Sequence, residues 1–193
     1  FKNTIFGGKT ESCAADLCDI SVAALKRLGF SEQVISWFEH GVKLGLHHEF
    51  HSRYEKSYPM RGDQEKVAAI KECNRMLELL VLEEVKEDSM EQATIVSPWV
   101  IILKGDKTRV CCDVLANQMM RPPVFALPCF RDCLQYLRPN SYVAVLDARD
   151  FFYCIPVAES DRKFLAVRHP EDGRLLRYAR LPMGLATSPF VAC

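Results

Sequence analysis

The residue with the clearest chemical potential in this sequence is Asp147, the last residue of the apolar run "YVAVLD" (142–147). A continuous apolar run of this length is typical of a strand buried on both faces, so the carboxylate is expected at a strand end. There it could begin a turn or cap a helix. It could also bind Mg²⁺, which proteins hold through one or two carboxylates together with substrate phosphates. The run alone leaves both interpretations open.

Two cations flank the turn of a predicted β-hairpin upstream of Asp147. The stretch "SPWVIILKGDKTRVCCD" (97–113) is β-rich on both sides of a Gly-Asp-Lys turn, with Lys104 before the turn and Arg109 after it. Arg supplies a planar fork and Lys a point charge, so the pair could neutralise an anion. The same residue types are also typical of a solvated hairpin.

These stretches resemble, in order, three motifs of the reverse transcriptases of retrotransposons. The hairpin resembles the fingers segment, "LDARDFFYCIPVAESDRKF" (146–164) resembles motif A, and "YARLPMGLATSPF" (178–190) resembles motif B. The likeness is to gypsy-type elements of the LTR class and, in "DARDFF" followed by "IPVAESDRKFL", to DIRS-type elements. It covers about residues 63–193. It implies an RNA-directed DNA polymerase, a nucleotidyltransferase that works with two Mg²⁺ (or Mn²⁺) ions.

The resemblance implies a role for each matching residue of motif A. Asp147 corresponds to the first metal-binding aspartate, and the carbonyl of Ala148 to the backbone ligand beside it. The backbone N–H groups of Asp150 and Phe151 correspond to contacts with the triphosphate. Phe152 corresponds to the steric gate, a ring under the sugar that excludes a 2′-hydroxyl. Core packing is the alternative for Phe152.

The other motifs imply further contacts with the nucleotide and with the template–primer. The nucleotide contacts are Lys104, Arg109, Met183 and Gly184, and the nucleic-acid contacts are Pro189, Arg177 and Arg180. The two arginines belong to a basic hairpin (162–180) whose cations could contact phosphates in a salt-dependent way. An ordinary charged surface is the alternative for this hairpin.

The chain also departs from the family pattern. The fingers hairpin lacks the usual Trp, Phe151 stands where a small residue is usual, and Met183 stands where Phe or Gln is usual. The family's Y-x-D-D motif is expected after motif B, but the chain stops at Cys193. One aspartate cannot hold two ions in geometry, so the isolated chain is expected to be inactive. A domesticated, non-catalytic module that binds nucleic acid or protein is the alternative function.

The elements that position these motifs follow from periodicity and caps. A helix is predicted at about 21–28, and a second after Ser31 with Val34, Ile35, Phe38 and Val42 on one side. A third is predicted at 63–85, with Asp63 as its cap and Val67, Ile70, Leu77 and Val81 at helical spacing. Strands follow at 93–104 and 108–114, a short helix at 128–137, a strand at 141–147, and two strands around an Asp-Gly turn at 163–181.

This pattern predicts an α+β fold. With the resemblance, it becomes the fingers and partial palm of a right-hand polymerase, a mixed or antiparallel sheet with helices, at residues 63–193. A helical connector is expected at residues 1–62, with a linker at 47–62. The expected partners are an RNA or DNA template–primer, a dNTP and the rest of a polyprotein, which comprises palm, thumb, RNase H and an integrase or recombinase.

Composition narrows the class of protein. The 193 residues are 49% hydrophobic and 26% charged, which is ordinary for a globular domain. No apolar stretch reaches the ~18 residues of a membrane span, and the start resembles no signal peptide. No membrane partner is therefore expected, and the location implied by the family is intracellular, in a cytoplasmic particle or the nucleus. The missing initiator Met suggests a piece of a longer product.

Cysteines and charge complete the picture. The nine cysteines are an odd number without C-x-x-C spacing, so reduced, buried thiols are expected rather than a disulfide framework or zinc. A cysteine-rich zinc protein is the competing interpretation.

The charge of the chain is distributed unevenly along the sequence. Residues 1–98 carry 12 Lys and Arg against 16 Asp and Glu, a net charge of −4, and residues 99–193 carry 13 against 9, a net charge of +4. The second half therefore tolerates an anionic partner better than the first, with an ordinary solvated surface as the alternative.

Overall fold

The computed structural model of the chain describes residues 20–46, 53–85, 94–104, 107–127, 129–140, 142 and 150–192. The predicted strand at 141–147 lies outside these ranges apart from Tyr142, which is fully exposed. Asp147 and Ala148, the two expected metal ligands, also lie outside the described residues.

Five α-helices and seven strands make up the described chain. The helices are α1 (Val22–Arg27), α2 (Glu32–His40), α3 (Asp63–Glu78), α4 (Phe130–Leu134) and α5 (Ser188–Ala192). The strands are β1 (Tyr54–Glu55), β2 (Leu82–Glu84), β3 (Ile95–Ser97), β4 (Trp99–Lys104), β5 (Lys107–Cys112), β6 (Ala166–Arg168) and β7 (Leu175–Tyr178). Short 3₁₀ helices lie at Leu115–Met119, Phe151–Cys154 and Glu159–Phe164.

The strands form two sheets. The larger has the order β1-β3-β6-β7-β2, in which β3 pairs in parallel with β1 and β6, and β7 pairs antiparallel with β6 and β2. The second sheet is the antiparallel hairpin of β4 and β5, in which Ile102 lies opposite Arg109. Helix α3 packs on both strands of this hairpin and on β2. The mixed α+β class expected from the sequence is confirmed.

The "SPW" tripeptide joins the two sheets. Ser97 ends β3, and its buried hydroxyl accepts a hydrogen bond from the backbone N–H of Leu115 at 3.1 Å. Trp99 begins β4, and its indole N–H donates to the carbonyl of Arg168 at 2.7 Å. Pro98 interrupts the ladder between them because it has no N–H to donate. These bonds fix the direction in which the hairpin leaves the large sheet.

The first two helices begin where their caps predict. The Ser21 hydroxyl accepts from Ala24 N–H, and the Ser31 hydroxyl accepts from Val34 N–H, both at 3.4 Å. Helix α2 ends earlier than its apolar spacing suggested, since Gly41 adopts a φ of 80°. Val42 therefore lies outside the helix, where it forms a bridge with Val157 in the core.

The segment after α2 belongs to the core instead of acting as a loose connector. Val42 N–H donates to Pro156 O at 2.8 Å, and Ala158 N–H donates to Val42 O at 3.0 Å. A Cβ on Gly41 would overlap the backbone of Ala158, so only glycine permits this approach. Leu44 is buried, and its N–H donates to the Asp161 carboxylate at 2.7 Å. The domain boundary at residue 62 stays a prediction.

The predicted third helix is correct in its position, wrong in its cap and wrong for one residue of its buried face. The cap position is Gly62, and Asp63 is the first helical residue and makes no capping bond. Val67, expected on the apolar face, is 64% exposed. The buried residues of α3 are Glu65, Ala69, Cys73 and Met76. Small and flexible side chains on this face let the helix approach the hairpin closely.

The same helix also ends seven residues before the predicted limit of 85. Leu80 follows α3 with a φ of 54°, a left-handed conformation that stops helical growth. The next residues form β2, paired antiparallel with β7, and Val81 packs in the core next to that strand. Pairing with β7 outweighed the helical propensity of the Leu- and Glu-rich sequence. Residues 54–55, expected within a linker, likewise form β1 beside β3.

Within the described residues, none of the helices combines the length and apolar character that crossing a membrane requires.

Candidate functional site

A groove of about 940 Å³ lies between helix α3 and strand β5. Its lining residues come from α3 (Ala68, Lys71, Glu72, Asn74, Arg75, Glu78), from β5 (Thr108, Arg109, Val110, Cys111) and from the loop after β7 (Met183). Two residues expected to contact a nucleotide, Arg109 and Met183, therefore meet in one depression. They belong to different motifs and are far apart in sequence.

The cations of the groove differ in how they are neutralised. Lys71 and Arg109 are exposed, and neither has an ionic partner among the described residues. Arg75 is instead held by Glu72, one turn earlier on the same helix, and by Asp150. The groove thus offers two free positive charges to an anion. Lys104 ends β4 opposite Lys107, at the tip of the same hairpin.

Arg75 fixes the position of Asp150 at the start of the motif A 3₁₀ helix. Its Nη1 donates to Asp150 Oδ2 at 2.8 Å, and its Nε and Nη2 donate to the Glu72 carboxylate at 2.9 and 2.7 Å. Hydrogen bonds to Glu72 and then to Asp150 raise the pKa of the Arg75 guanidinium, so it remains charged at any relevant pH. Asp150 adopts a φ of 55° and a ψ of 28°.

The two phenylalanines of motif A have different environments. Phe151 is 39% exposed, whereas Phe152 is half-buried and packs against the main core. Their ring centroids lie 6.4 Å apart with the planes tilted by 56°. The gate function of Phe152 stays a prediction.

The motif B loop is held by Asn117, which the sequence did not single out. The Asn117 amide donates to Gly184 O at 2.8 Å, and its carbonyl oxygen accepts from Ala186 N–H at 2.8 Å. Gly184 has a φ of 90°, and an added Cβ would lie 3.4 Å from Cys112 O, so glycine suits this position. This clamp places the neighbouring Met183 at the groove.

Pro189 lies in α5, directly after this loop, and is half-buried. The next residue, Phe190, contacts Trp37 of α2 edge-on with ring centroids 6.3 Å apart, and Phe125 at 5.7 Å. The helix after motif B is therefore supported by the N-terminal segment of the chain.

The basic hairpin is largely neutralised by ion pairs. Arg177 is 12% exposed in its side chain and donates to Glu83 and Glu159, both at 2.6 Å. Arg162 pairs with the same two carboxylates at 2.9 and 2.8 Å. Arg177 is thus a charge inside a network, and contact with nucleic acid would require that network to open. Its assignment to the template–primer stays a prediction.

Arg180 differs from its neighbours in the hairpin. It has no ionic partner among the described residues and lines a cavity of about 440 Å³ beside α2 and β2. Its backbone pairs with Pro156 in an isolated bridge. This cavity does not share lining residues with the groove between α3 and β5.

The buried cysteines behave as core residues. Burial raises the pKa of Cys73 to about 12 and that of Cys112 to about 12, so both thiols stay protonated at neutral pH. Protonated thiols are poor metal ligands. Among the residues that the structure describes, no three His, Cys, Asp or Glu side chains come together as a metal site would require.

Comparisons with known proteins agree with the class of fold. No protein-family model matches the sequence, and no curated protein matches it. A solved structure that is similar is the protease–reverse transcriptase of prototype foamy virus, with a TM-score of 0.58 and 19% identity over 78% of this chain. The chain spans 20% of the length of that viral protein. At this identity the likeness concerns the fold alone, and the chain has a mixed α+β fold like that of a reverse transcriptase.

Proposed function

We propose that this chain is part of the RNA-directed DNA polymerase of a retroelement, of the LTR type with gypsy- or DIRS-like features. It would supply the fingers and the first part of the palm. The observation that carries this proposal is the groove in which Arg109 and Met183 meet, with the Arg75–Asp150 pair at its side. The reverse-transcriptase-like fold supports the same conclusion.

The reaction would be template-directed DNA synthesis from dNTPs. The primer 3′-oxygen attacks the α-phosphorus, and pyrophosphate leaves. Arg109 would place its guanidinium on the triphosphate, where a planar fork neutralises charge on two oxygens at once. Lys104 would add a point charge, the backbone of Asp150 and Phe151 would contact the phosphates, and Phe152 would exclude a ribose.

The cofactor would be Mg²⁺ or Mn²⁺, held by the Asp147 carboxylate and the Ala148 carbonyl. When bound, such an ion neutralises charge on the reacting phosphates. The Asp150 carboxylate is bonded to Arg75, which favours Asp147 as the metal ligand of this stretch. The partners would be a template–primer, a dNTP and the rest of the polyprotein, in a cytoplasmic particle or the nucleus.

The test measures equilibrium binding of dTTP to the chain in the presence of Mg²⁺ by isothermal titration calorimetry. Arg109→Ala removes a free charge of the groove and is expected to weaken binding roughly tenfold or more, as for a charge-assisted phosphate contact. The matched control is Arg131→Ala, which removes an exposed arginine on α4, outside the groove and also without an ionic partner among the described residues. It is expected to leave binding unchanged.

Equal affinities for the parent chain and Arg109→Ala would contradict the proposal. If the chain binds a single-stranded oligonucleotide but no dTTP, the domesticated binding module becomes the better interpretation. The fold would then have been kept without the nucleotide site.

A further inference from the structure

Arg75 and Asp150 form the most constrained charged contact beside the groove. The side chains are 30% and 15% exposed, so the pair is partly shielded from water. The second guanidinium nitrogen, Nη2, also lies 3.5 Å from Asp150 Oδ1. Arg75 Nε and Nη2 donate to the two oxygens of the Glu72 carboxylate. The guanidinium is therefore held from both sides.

Asp150 has a backbone conformation that residues other than glycine adopt only at a cost in conformational energy. With a φ of 55°, it lies in the left-handed region, where Asn and Asp are tolerated when their side chains find local hydrogen bonds. An aspartate at this position would ordinarily cap the following helix with its carboxylate. Here the carboxylate makes no capping bond, and it is bonded instead to Arg75.

The consequence is that the side chain of Asp150 points to α3 while its backbone begins the 3₁₀ helix. The Asp150 carbonyl accepts from Tyr153 N–H at 2.9 Å, which starts that helix. Without Arg75, the carboxylate would lose its ion pair with α3, and the N–H groups that follow it would become an alternative partner.

We propose that Arg75 is a positioning residue of the nucleotide site. It binds the Asp150 carboxylate, keeps Asp150 left-handed, and so leaves the backbone at Asp150 and Phe151 accessible to the triphosphate of a dNTP. This inference rests on the proposed function, because the triphosphate contact does. Glu72 assists by fixing the orientation of the guanidinium fork.

The test compares dTTP binding with Mg²⁺ in two backgrounds. In the parent chain, Arg75→Ala is expected to weaken binding roughly tenfold, and Arg75→Lys, which keeps the charge but loses the fork, to weaken it less. In an Asp150→Gly background the left-handed conformation needs no support and no carboxylate competes for the backbone. There Arg75→Ala is expected to weaken binding much less than in the parent chain, with only the loss of a groove-lining charge remaining. Lys66→Ala removes a cation from the same helix outside the groove and serves as the control.

A merely structural role for Arg75 would weaken binding equally in both backgrounds, and that result would overturn the inference. Unchanged binding by Arg75→Ala in the parent chain would overturn it as well. Failure of the parent chain to bind dTTP would instead reject the proposed function. In that case, NMR of the ligand-free chain still tests the positioning role of Arg75. The backbone amide resonances of Asp150 and Phe151 should shift in Arg75→Ala, and unchanged resonances would reject that role.

Discussion

Two regions of this molecule carry arginines that the sequence presents as equivalent, the groove and the β6–β7 hairpin. In the groove, Lys71 and Arg109 have no ionic partner among the described residues. In the hairpin and the turn before it, four arginines are paired: Arg162 and Arg177 with Glu83 and Glu159, Arg168 with Glu55, and Arg174 with Glu84 and Asp172. Arg180 is the exception among the hairpin arginines, since it has no ionic partner among the described residues.

The difference shows that the number of charged residues in a segment does not predict the electrostatic potential at its surface. Three of the five acids come from the first half of the chain, on β1 and β2, and all four arginines come from the second half, on β6, β7 and the turns before them. Glu83 lies directly opposite Arg177 in the antiparallel ladder. Part of the opposite charge of the two halves is therefore neutralised by ion pairs across the sheet. Lys71 and Arg109 in the groove are not neutralised in this way by any described residue.

The largest effect that separates the two regions is expected for Arg177→Ala. It leaves two carboxylates close together with only Arg162 between them, in a partly buried position. The free energy of unfolding should fall by about 2 kcal/mol, below the range for a fully buried pair. Urea denaturation measures this. Arg109→Ala should change stability by less than about 0.5 kcal/mol, as for an exposed surface residue. Equal losses would remove the distinction between the regions.

A smaller effect is expected when the hairpin arginines are freed. The double variant Glu83→Gln/Glu159→Gln keeps the shape of both side chains and removes the charges that neutralise Arg162 and Arg177. Binding to a single-stranded oligonucleotide at low salt should rise by roughly threefold to tenfold, as two phosphate contacts become available. Fluorescence anisotropy measures it.

The control for that experiment is Glu32→Gln/Glu171→Gln, which changes the net charge equally at exposed acids without ion pairs among the described residues. If both double variants gain the same affinity, net charge rather than pairing governs binding, and the comparison fails.

The smallest effect concerns how the ion pair between Glu55 of β1 and Arg168 of β6 changes the stability of the fold at acid pH. The hydrogen bond from Arg168 lowers the pKa of Glu55, with further lowering by the charges of Arg168 and Arg53. The ionised form is therefore favoured in the folded state, so the pair stabilises the fold above the unfolded pKa of about 4.3. That contribution is lost as the pH falls through the lowered pKa that Glu55 has in the folded state. The urea midpoint should decline less between neutral and acid pH in Glu55→Gln than in the parent chain.

Much of the fold could be predicted because its signals are local. Ser21 and Ser31 cap helices where their types and positions indicate, and the Asp-Gly turn separates β6 from β7. The end of α3 could not be predicted, since Leu80 and the residues of β2 follow the demands of pairing with β7. Val67 was placed on the wrong face for a similar reason: the hairpin packs against the small residues of the helix.

The sequence singled out two residues of the groove, Arg109 and Met183, and the structure places both in its lining. Their contact with a nucleotide stays a prediction. Arg75 and Asn117 were missed, because their partners Asp150, Gly184 and Ala186 are far away in the chain. The i,i+3 spacing of Glu72 and Arg75 is that of a helical ion pair, but it carries no sign of a link to motif A.

By itself, the sequence determined the order of the motifs, the α+β class and the cations that could face a phosphate, because these depend on residue type and near neighbours. Tertiary structure decided which of those cations are free. Arg177 meets Glu83 over 94 residues, and Arg75 meets Asp150 over 75. Charges separated by such lengths of chain approach only after sheet and helix have packed, so their neutralisation is a property of the fold.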